Sequence, residues 1–225
     1  MNLSILCVTN NAYTGTGRFI HAMRELADSL QSEFVLGLDR EQAQRAEWRT
    51  LADKAIDLTA DKLQEDVLDE AVTACGCDWV LRLDDDETAS PALKKWLVRG
   101  AFLSGRSALY AFPRVYLWPD AQNIIVNDGM YPDLQTRLGT KKYMLGVNHV
   151  HAGNPNGTGV VVPYAIEHHK LLVRSREERE EIAARYESLR PGAGSLPQYA
   201  RYNVPEKFYA RLDTKEYSDG DFSAR

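Results

Sequence analysis

Apolar residues in the first half of the chain form two patterns that alternate along the sequence. Short apolar runs, the pattern of buried strands, lie at residues 3–8, 34–39, 54–58 and 79–83. Between these runs, apolar residues recur at helical spacing from Phe19 to Leu30 and from Leu63 to Val72, which predicts amphipathic helices. Gly76 is placed to end the second helix. This alternation predicts an α/β fold, with a mostly parallel central sheet flanked by helices.

The second half of the chain has a different pattern. It is preceded by Ser90 and Pro91, a typical helix start, after which apolar residues continue at helical spacing to Ala101. Beyond this helix, runs separated by turn residues predict strands at 108–118, 123–127, 142–147 and 160–162. Because these strands follow one another with few helices between them, we expect a smaller mixed sheet beside the parallel one.

The C-terminal part begins with a predicted charged helix. Ser175 and Glu178 have the spacing of a capping box, and the helix is predicted to run from Ser175 to about Leu189. From Arg190 the sequence becomes rich in Pro and Gly, so we predict an irregular segment.

Composition narrows the class of protein. The chain has 225 residues and a net charge of −5, which favours one large globular domain and weighs against a dedicated binder of duplex DNA. No run approaches the roughly 20 apolar residues of a transmembrane helix, and the N-terminus lacks the basic region of a signal peptide. The three cysteines give no disulfide framework. These features predict a protein of the cytoplasm.

Four consecutive carboxylates, Asp84 to Glu87, follow the apolar run at 79–83. Ligands of an α/β sheet bind where parallel strands end, and clustered carboxylates repel one another unless a cation neutralises them. The cluster therefore predicts a divalent cation, Mn²⁺ or Mg²⁺, held on a diphosphate. Asp84 and Asp86 would point to the same side of an extended segment, so we assign the metal to Asp86 with Asp84. The alternative is a solvated acidic turn that caps the next helix.

Histidines and one further aspartate add candidate chemistry. His168 and His169 follow the strand predicted at 160–162, and imidazole is a good ligand for Mn²⁺; we assign the metal to His169, with His168 as the alternative. Asp133 is a candidate general base for an attacking hydroxyl. It is otherwise a turn residue paired with Arg137. His151 either lines the site or is a polar strand residue near an exposed loop.

Several of these segments carry a family resemblance. The segments at 3–11, 78–87, 131–138 and 166–170 resemble, in order, motifs of the glycosyltransferases of the GT-A fold, in the large family 2 group. The Tyr-Pro-Asp-Leu-Gln-Thr-Arg-Leu run at 131–138 is similar to a segment of bacterial members that build lipopolysaccharide cores and related glycans. The resemblance spans about residues 3–190. It implies a GT-A domain over 1–190, with a nucleotide-sugar half at 1–105 and an acceptor half at 106–190, and an irregular extension at 191–225.

The resemblance also implies roles for individual residues. Donor binding falls to six side chains: Thr9, Asn11, Asp39, Asp84, Asp85 and Arg137. His151 and Tyr131 would lie on the acceptor side. Two departures bear on these roles. Val150 and His151 resemble a Val-His-Glu element of the family, but Ala152 stands where that element has Glu. The usual Asp-x-Ser-x-Asp after the second strand is also absent.

The implied function is that of a metal-dependent inverting glycosyltransferase. We expect a nucleotide-sugar donor, with a UDP-sugar favoured, and a glycan or lipid-linked acceptor, which allows peripheral association with the inner face of a membrane. A modified nucleic-acid base is the other acceptor class, with phosphates contacted by Lys141, Lys142, Arg174 and Arg176. Two other functions compete with this one. They are a sugar-nucleotide pyrophosphorylase and a non-catalytic metal-binding module.

Overall fold

The computed structural model describes residues 1–9, 13–38, 45–58, 62–105, 107–127, 131–146, 154, 156–157, 159–192 and 213–219. The strands are β1 (Leu3–Thr9), β2 (Glu33–Leu38), β3 (Lys54–Asp57), β4 (Trp79–Asp84), β5 (Glu87–Ala89), β6 (Leu109–Tyr116), β7 (Asn123–Ile125), β8 (Asp133–Thr140), β9 (Val160–Val161), β10 (Ile166–His168) and β11 (Thr214–Glu216). The helices are α1 (Thr16–Leu30), α2 (Arg45–Leu51), α3 (Gln64–Ala74), α4 (Pro91–Val98), α5 (Ala101–Ser104), α6 (Lys141–Met144), α7 (Lys170–Val173) and α8 (Arg176–Leu189).

The first four strands form a parallel half-sheet in the order β3-β2-β1-β4. Every residue of β1 is buried, because α1 covers one face of this half and α3 the other. The apolar stripe of α1 belongs to one of the two main hydrophobic clusters, and the apolar face of α3 belongs to the other. The α/β prediction is confirmed, and each strand and helix predicted in this half is present.

The sheet continues beyond β4 with strands of mixed direction. In the described part of the chain, nine strands form one sheet, in which β8 pairs antiparallel with both β4 and β6, while β10 pairs parallel with β6. Short β5 pairs antiparallel with β10, and β9 pairs with β6. Because β8 runs opposite to β4, its first residue, Asp133, lies at the edge where β4, β6 and β10 end. This arrangement brings both halves of the sequence to one site.

Local signals position the helices that flank this edge. The side chain of Ser90 accepts a hydrogen bond from the Leu93 amide, 3.2 Å away, and Pro91 is the first residue of α4. The helix ends at Val98 rather than at Ala101, because Gly100 has a left-handed conformation (φ 62°) that separates α4 from α5. Ser175 and Glu178 form the predicted capping box at the start of α8.

Three sequence-based expectations differ from the structure. The strand predicted at 142–147 is wrong for Lys142 to Met144, which lie in α6, since β8 ends at Thr140 and the chain turns back there. No strand was predicted at β8 or β10, whose polar residues hide the apolar alternation. Part of the segment expected to be irregular, Thr214 to Glu216, forms β11, which pairs antiparallel with β7 in a second, small sheet.

No helix among the described residues is both long and apolar enough to cross a membrane.

Candidate functional site

The acidic run lies at the carboxyl edge of the sheet, as expected. Asp84 is the last residue of β4, Asp85 and Asp86 form a turn, and Glu87 begins β5. Thr9, at the end of neighbouring β1, donates its hydroxyl to Asp85 Oδ2 at 2.7 Å. The turn redirects the backbone, so Asp84 and Asp86 have different partners instead of facing one side of an extended strand.

Asp84 is held by groups from two elements. Arg137 of β8, which is 1% exposed, donates to both of its oxygens, with Nη1 3.1 Å from Oδ1. Gln64, the first residue of α3, donates its amide to the same Oδ1 at 3.0 Å. A two-pronged guanidinium–carboxylate pair has strong geometric specificity. Asp84 is therefore fixed and neutralised by the protein itself.

Glu87 is fully buried between two arginines. Its Oε1 lies 2.6 Å from Arg137 Nη2 and 3.1 Å from Arg114 Nη1. Burial, with the neighbouring Asp84 charge, raises the pKa of Glu87 to about 8, although Arg114 opposes this. A chain of alternating acidic and basic side chains thus runs through the mixed half of the sheet. It connects Asp84, Arg137, Glu87 and Arg114.

Asp85 and Asp86 share a third arginine. Arg174, which follows α7, places Nη2 2.6 Å from Asp85 Oδ1 and 3.2 Å from Asp86 Oδ2. On the other side of Asp86, His168 Nε2 lies 3.2 Å from Oδ1. Burial opposes ionisation of Asp86, but the His168 and Arg174 side chains outweigh it and hold its pKa well below the usual range. Burial raises the pKa of Asp85, with Arg174 opposing.

The two adjacent histidines have different surroundings. His168 is buried against Asp86, with the Tyr116 ring edge-on at 4.6 Å, and burial lowers its pKa. His169 instead places Nε2 2.9 Å from the Thr88 hydroxyl, which donates to Glu167 at 3.0 Å. Burial and the nearby Arg18 lower the pKa of His169 to about 4. Both imidazoles are therefore uncharged at neutral pH, and His168 is the one beside the acidic turn.

Asp133, the candidate base, begins β8 next to the end of β6. Arg114 Nε lies 2.8 Å and Nη2 2.6 Å from Asp133 Oδ2, and the Tyr116 hydroxyl donates to the same oxygen at 3.2 Å. The Gln135 amide donates to Oδ1 at 2.7 Å. Burial alone would raise the pKa of Asp133, but Arg114 and these hydrogen bonds lower it. Its ion-pair partner is Arg114, not the Arg137 considered from the sequence.

The remaining predicted residues are only partly described. Asn11, Asp39 and His151 lie outside the described residues. Tyr131 packs beside Leu117 and Ile124, with Lys215 Nζ 5.1 Å from its ring centroid.

Like Arg174, two other cations considered for nucleic-acid phosphates already have partners within the protein. Lys141 Nζ donates to the Thr73 and Cys75 carbonyls at the C-terminal end of α3, and Arg176 pairs with Glu180.

Sequence reasoning missed Arg114, Gln64 and Thr88, and assigned Arg174 to nucleic-acid phosphates. Arg114 lies in the run Leu109–Tyr116, whose other seven residues are buried and uncharged. A charged residue within so apolar a strand is a signal for a buried ion pair, and this signal was available. Arg174 and Gln64 carry no comparable local signal, because their contacts depend on how α7 and α3 pack.

The site has a partial set of metal ligands. Among the described residues, no group of three His, Cys, Asp or Glu side chains is arranged to hold a metal ion. Asp86 Oδ1 and His168 Nε2, 3.2 Å apart, nevertheless have about the 3 Å spacing of neighbouring ligands around a small octahedral dication. An uncharged imidazole and an ionised carboxylate are suitable donors. This pair fits a cation whose other ligands are phosphate oxygens and water.

Comparisons with known proteins add information on the fold. No protein-family model and no curated protein sequence matches the chain. The crystal structure of Staphylococcus aureus TarS superposes with a TM-score of 0.51 at 12% identity, covering 95% of this chain and 46% of that one. The fold is GT-A-like. The structure of TarS residues 1–349 in complex with UDP gives a TM-score of 0.50 at 13% identity, covering 94% of this chain and 73% of that one.

A CMP:2-keto-3-deoxy-manno-octonic acid synthetase complexed with CTP also matches, with a TM-score of 0.47 at 13% identity, covering 72% of this chain and 90% of that one. At 12–13% identity, the chain shares a fold with the two TarS structures and no more. It spans less than half of the longer TarS structure. Membership of glycosyltransferase family 2 stays a prediction.

Proposed function

We propose that the protein is a glycosyltransferase that moves a sugar from a nucleotide-sugar donor to an acceptor hydroxyl. The GT-A-like fold supports this proposal, and the acidic turn lies where such a sheet binds ligands. One of the similar solved structures, TarS residues 1–349, is a complex with UDP, which favours a UDP-sugar as the first donor to test. A second observation is the base candidate, Asp133, at the same edge of the sheet.

The observation that carries the proposal is the Asp86–His168 pair, between the turn that follows β4 and the end of β10. We propose that these two side chains hold Mn²⁺ or Mg²⁺, with His168 taking the role that the sequence gave to His169. When bound, such a cation neutralises charge on a diphosphate leaving group. Arg174, which contacts Asp85 and Asp86, is close enough to this position to share that charge with the cation.

The other residues of the site have roles that follow from their positions. Asp85 and Thr9, at the adjacent ends of β4 and β1, are proposed to bind the ribose hydroxyls of the donor. Asp84 is fixed by Arg137 and Gln64 and supports the turn. Asp133 is proposed to take the proton of the attacking hydroxyl. Attack from the face opposite the leaving diphosphate, in a single displacement, inverts the anomeric configuration.

A hydrolysis and transfer screen tests the proposal. The protein is incubated with UDP-, GDP-, dTDP- and CMP-sugars in the presence of Mn²⁺, and release of the nucleotide is measured with and without mono- and oligosaccharide acceptors. We expect release from one donor class, its loss in Asp86→Asn and Asp133→Asn, and retention in Arg176→Gln, which changes only an exposed pair on α8.

Two further assays distinguish the competing functions. A nucleotidyltransferase, given a nucleoside triphosphate and a sugar phosphate, would release pyrophosphate from the triphosphate. It would leave the nucleotide sugars of the screen intact. A metal-binding module would show binding of Mn²⁺ by calorimetry, and its affinity for Mn²⁺ would not change when UDP is added. Either result would contradict the proposed glycosyl transfer.

A further inference from the structure

The two oxygens of the Asp133 carboxylate have unequal surroundings. Oδ2 receives three donors: Arg114 Nε at 2.8 Å, Arg114 Nη2 at 2.6 Å and the Tyr116 hydroxyl at 3.2 Å. Oδ1 receives the Gln135 amide alone among the described residues, at 2.7 Å. A carboxylate oxygen has about two lone-pair sites. Oδ2 is therefore saturated, whereas Oδ1 keeps capacity for one more hydrogen.

We propose that Arg114 is a positioning residue that, with Tyr116, holds Asp133 by Oδ2 so that Oδ1 takes the proton of the sugar acceptor. This inference rests on the proposed function. In the step, the acceptor O–H bond breaks and its proton goes to Oδ1, while the acceptor oxygen forms a bond to the anomeric carbon. The bond from that carbon to the diphosphate oxygen breaks, and its electron pair leaves with the nucleoside diphosphate.

Arg114 can do this because it is itself immobilised. Its Nη1 lies 3.1 Å from Glu87, and Glu87 is held by Arg137 on its other side. Its side chain is 15% exposed. Nη2 also donates to the Tyr116 hydroxyl at 2.9 Å, and the Tyr116 ring is packed edge-on against His168. All three donors to Oδ2 therefore come from β6 and share one anchored network.

Arg114 also determines when Asp133 is ionised. The groups that face the carboxylate are Arg114 and Tyr116 from β6 and Gln135 from β8, with Glu87 of β5 behind Arg114 and Asp84 of β4 4.0 Å from Arg114. Burial raises the pKa of Asp133, and Arg114 outweighs it and lowers the pKa. Without Arg114 the carboxyl would remain buried without its cation, so its pKa should rise above the ordinary value of about 3.9.

A titration that needs no donor tests this role. Protein labelled with ¹³C at aspartate carboxyl carbons is followed by NMR from pH 4.5 to 8, and the Asp133 signal is assigned by its loss in Asp133→Asn. The wild-type signal should not move in this range. In the double variant Arg114→Met, Glu87→Gln, which removes the guanidinium and replaces the carboxyl that it contacts with a neutral amide, the signal should titrate within the range. Arg114→Lys should restore the flat response.

Two further variants keep the test decisive. Arg82→Met removes a guanidinium that faces Asp84 at 3.4 Å, so it should leave the Asp133 signal flat. Tyr116→Phe removes one donor and retains Arg114, and it serves if the double variant does not fold; its Asp133 pKa should rise by less. A wild-type signal that titrates above pH 4.5, or a flat signal in both the double variant and Tyr116→Phe, would overturn the inference.

Kinetics with whichever donor the screen identifies separates this inference from the proposed function. The Arg114→Met, Glu87→Gln variant should lose kcat by about tenfold or more with an unchanged donor KM, and the acid limb of its kcat profile should move to higher pH. An equal loss in donor KM, with an unmoved acid limb, would contradict positioning. If no donor is turned over, the glycosyltransferase proposal fails, and the NMR titration still decides how Asp133 is held.

Discussion

The two halves of the central sheet are stabilised in different ways. In the parallel half, β1 to β4 are filled by aliphatic side chains such as Leu6 and Leu81, which are completely buried between helices. In the mixed half, buried arginines and carboxylates lie within the sheet itself, as the contacts of Arg137 with Asp84 and Glu87 show. The parallel half therefore depends on apolar burial, and the mixed half depends on charges that must compensate one another.

Because of this difference, residues that stabilise the mixed half also form part of the candidate site, whereas the apolar core of the parallel half does not. An apolar core residue can be truncated at the cost of its transfer free energy and a cavity. A buried ion pair contributes little net stability, but removal of one partner leaves a buried charge without compensation. The residues that hold Asp84, Glu87 and Asp133 in place thus also decide whether the mixed half folds at a given pH.

The largest effect is expected from Arg137→Met. It leaves Asp84 without its two-pronged partner and Glu87 with Arg114 alone, and we expect a loss of about 3–5 kcal/mol in the free energy of unfolding. Because Glu87, whose pKa is raised to about 8, is protonated at pH 5 and so needs less compensation there, the loss should be smaller at pH 5 than at pH 8. Urea unfolding at both pH values measures it.

Leu6→Ala in the parallel half is the matched control. It should cost about 2–5 kcal/mol to the same extent at both pH values, since no titratable group is involved. Equal pH dependence in the two variants would remove the distinction between the halves.

The second prediction concerns the cation. Asp86→Asn removes the carboxylate beside His168, so Mn²⁺-dependent binding of UDP, measured by calorimetry, should weaken by more than about 100-fold. His168→Gln should weaken it by about tenfold or more. His169→Gln should have a smaller effect, because His169 faces Thr88 and Glu167 instead. A larger effect at His169 would restore the original assignment from the sequence.

The smallest effect is a slope of stability with pH that originates at Glu87. Its folded-state pKa of about 8 lies above the usual value of about 4.3, so the folded protein binds a proton that the unfolded chain has lost. That contribution is complete below the usual pKa and is lost as pH rises through about 8. The free energy of unfolding should therefore fall between pH 6.5 and 8.

The range from pH 6.5 to 8 avoids the titration of groups that would make stability rise with pH. His168 and His169 have lowered pKa values, so they change stability mainly below pH 6.5. Lys170, whose pKa burial lowers to about 8, adds stability mainly above that pH. Glu87→Gln should flatten the slope in urea unfolding across the window. An unchanged slope in that variant would assign the effect to another group.

Much of the parallel half was predictable from local pattern. Four apolar runs and two amphipathic helices give β1 to β4, α1 and α3, since each element buries a continuous apolar face. The caps at Ser90 and Ser175 were also predictable, because a cap is a contact between near neighbours in the sequence.

The mixed half was less predictable. β8 carries Gln135 and Arg137 in a strand without clean alternation. The residues that pair with it lie from 19 to 61 positions earlier in the sequence.

The sequence alone determined that a carboxylate run would follow a buried strand and that Asp133 would follow Pro132 near an arginine. Only the tertiary structure decided which cations compensate these carboxylates. The side chains of Arg114, Arg137 and Arg174 are long. The sequence therefore allows each of them to pair with several different carboxylates. Strand order and direction select among them, because β8 runs opposite to β4 and β6 and so brings Asp133 to Arg114 and Arg137 to Asp84. Long-range pairing of this kind leaves no trace in local spacing.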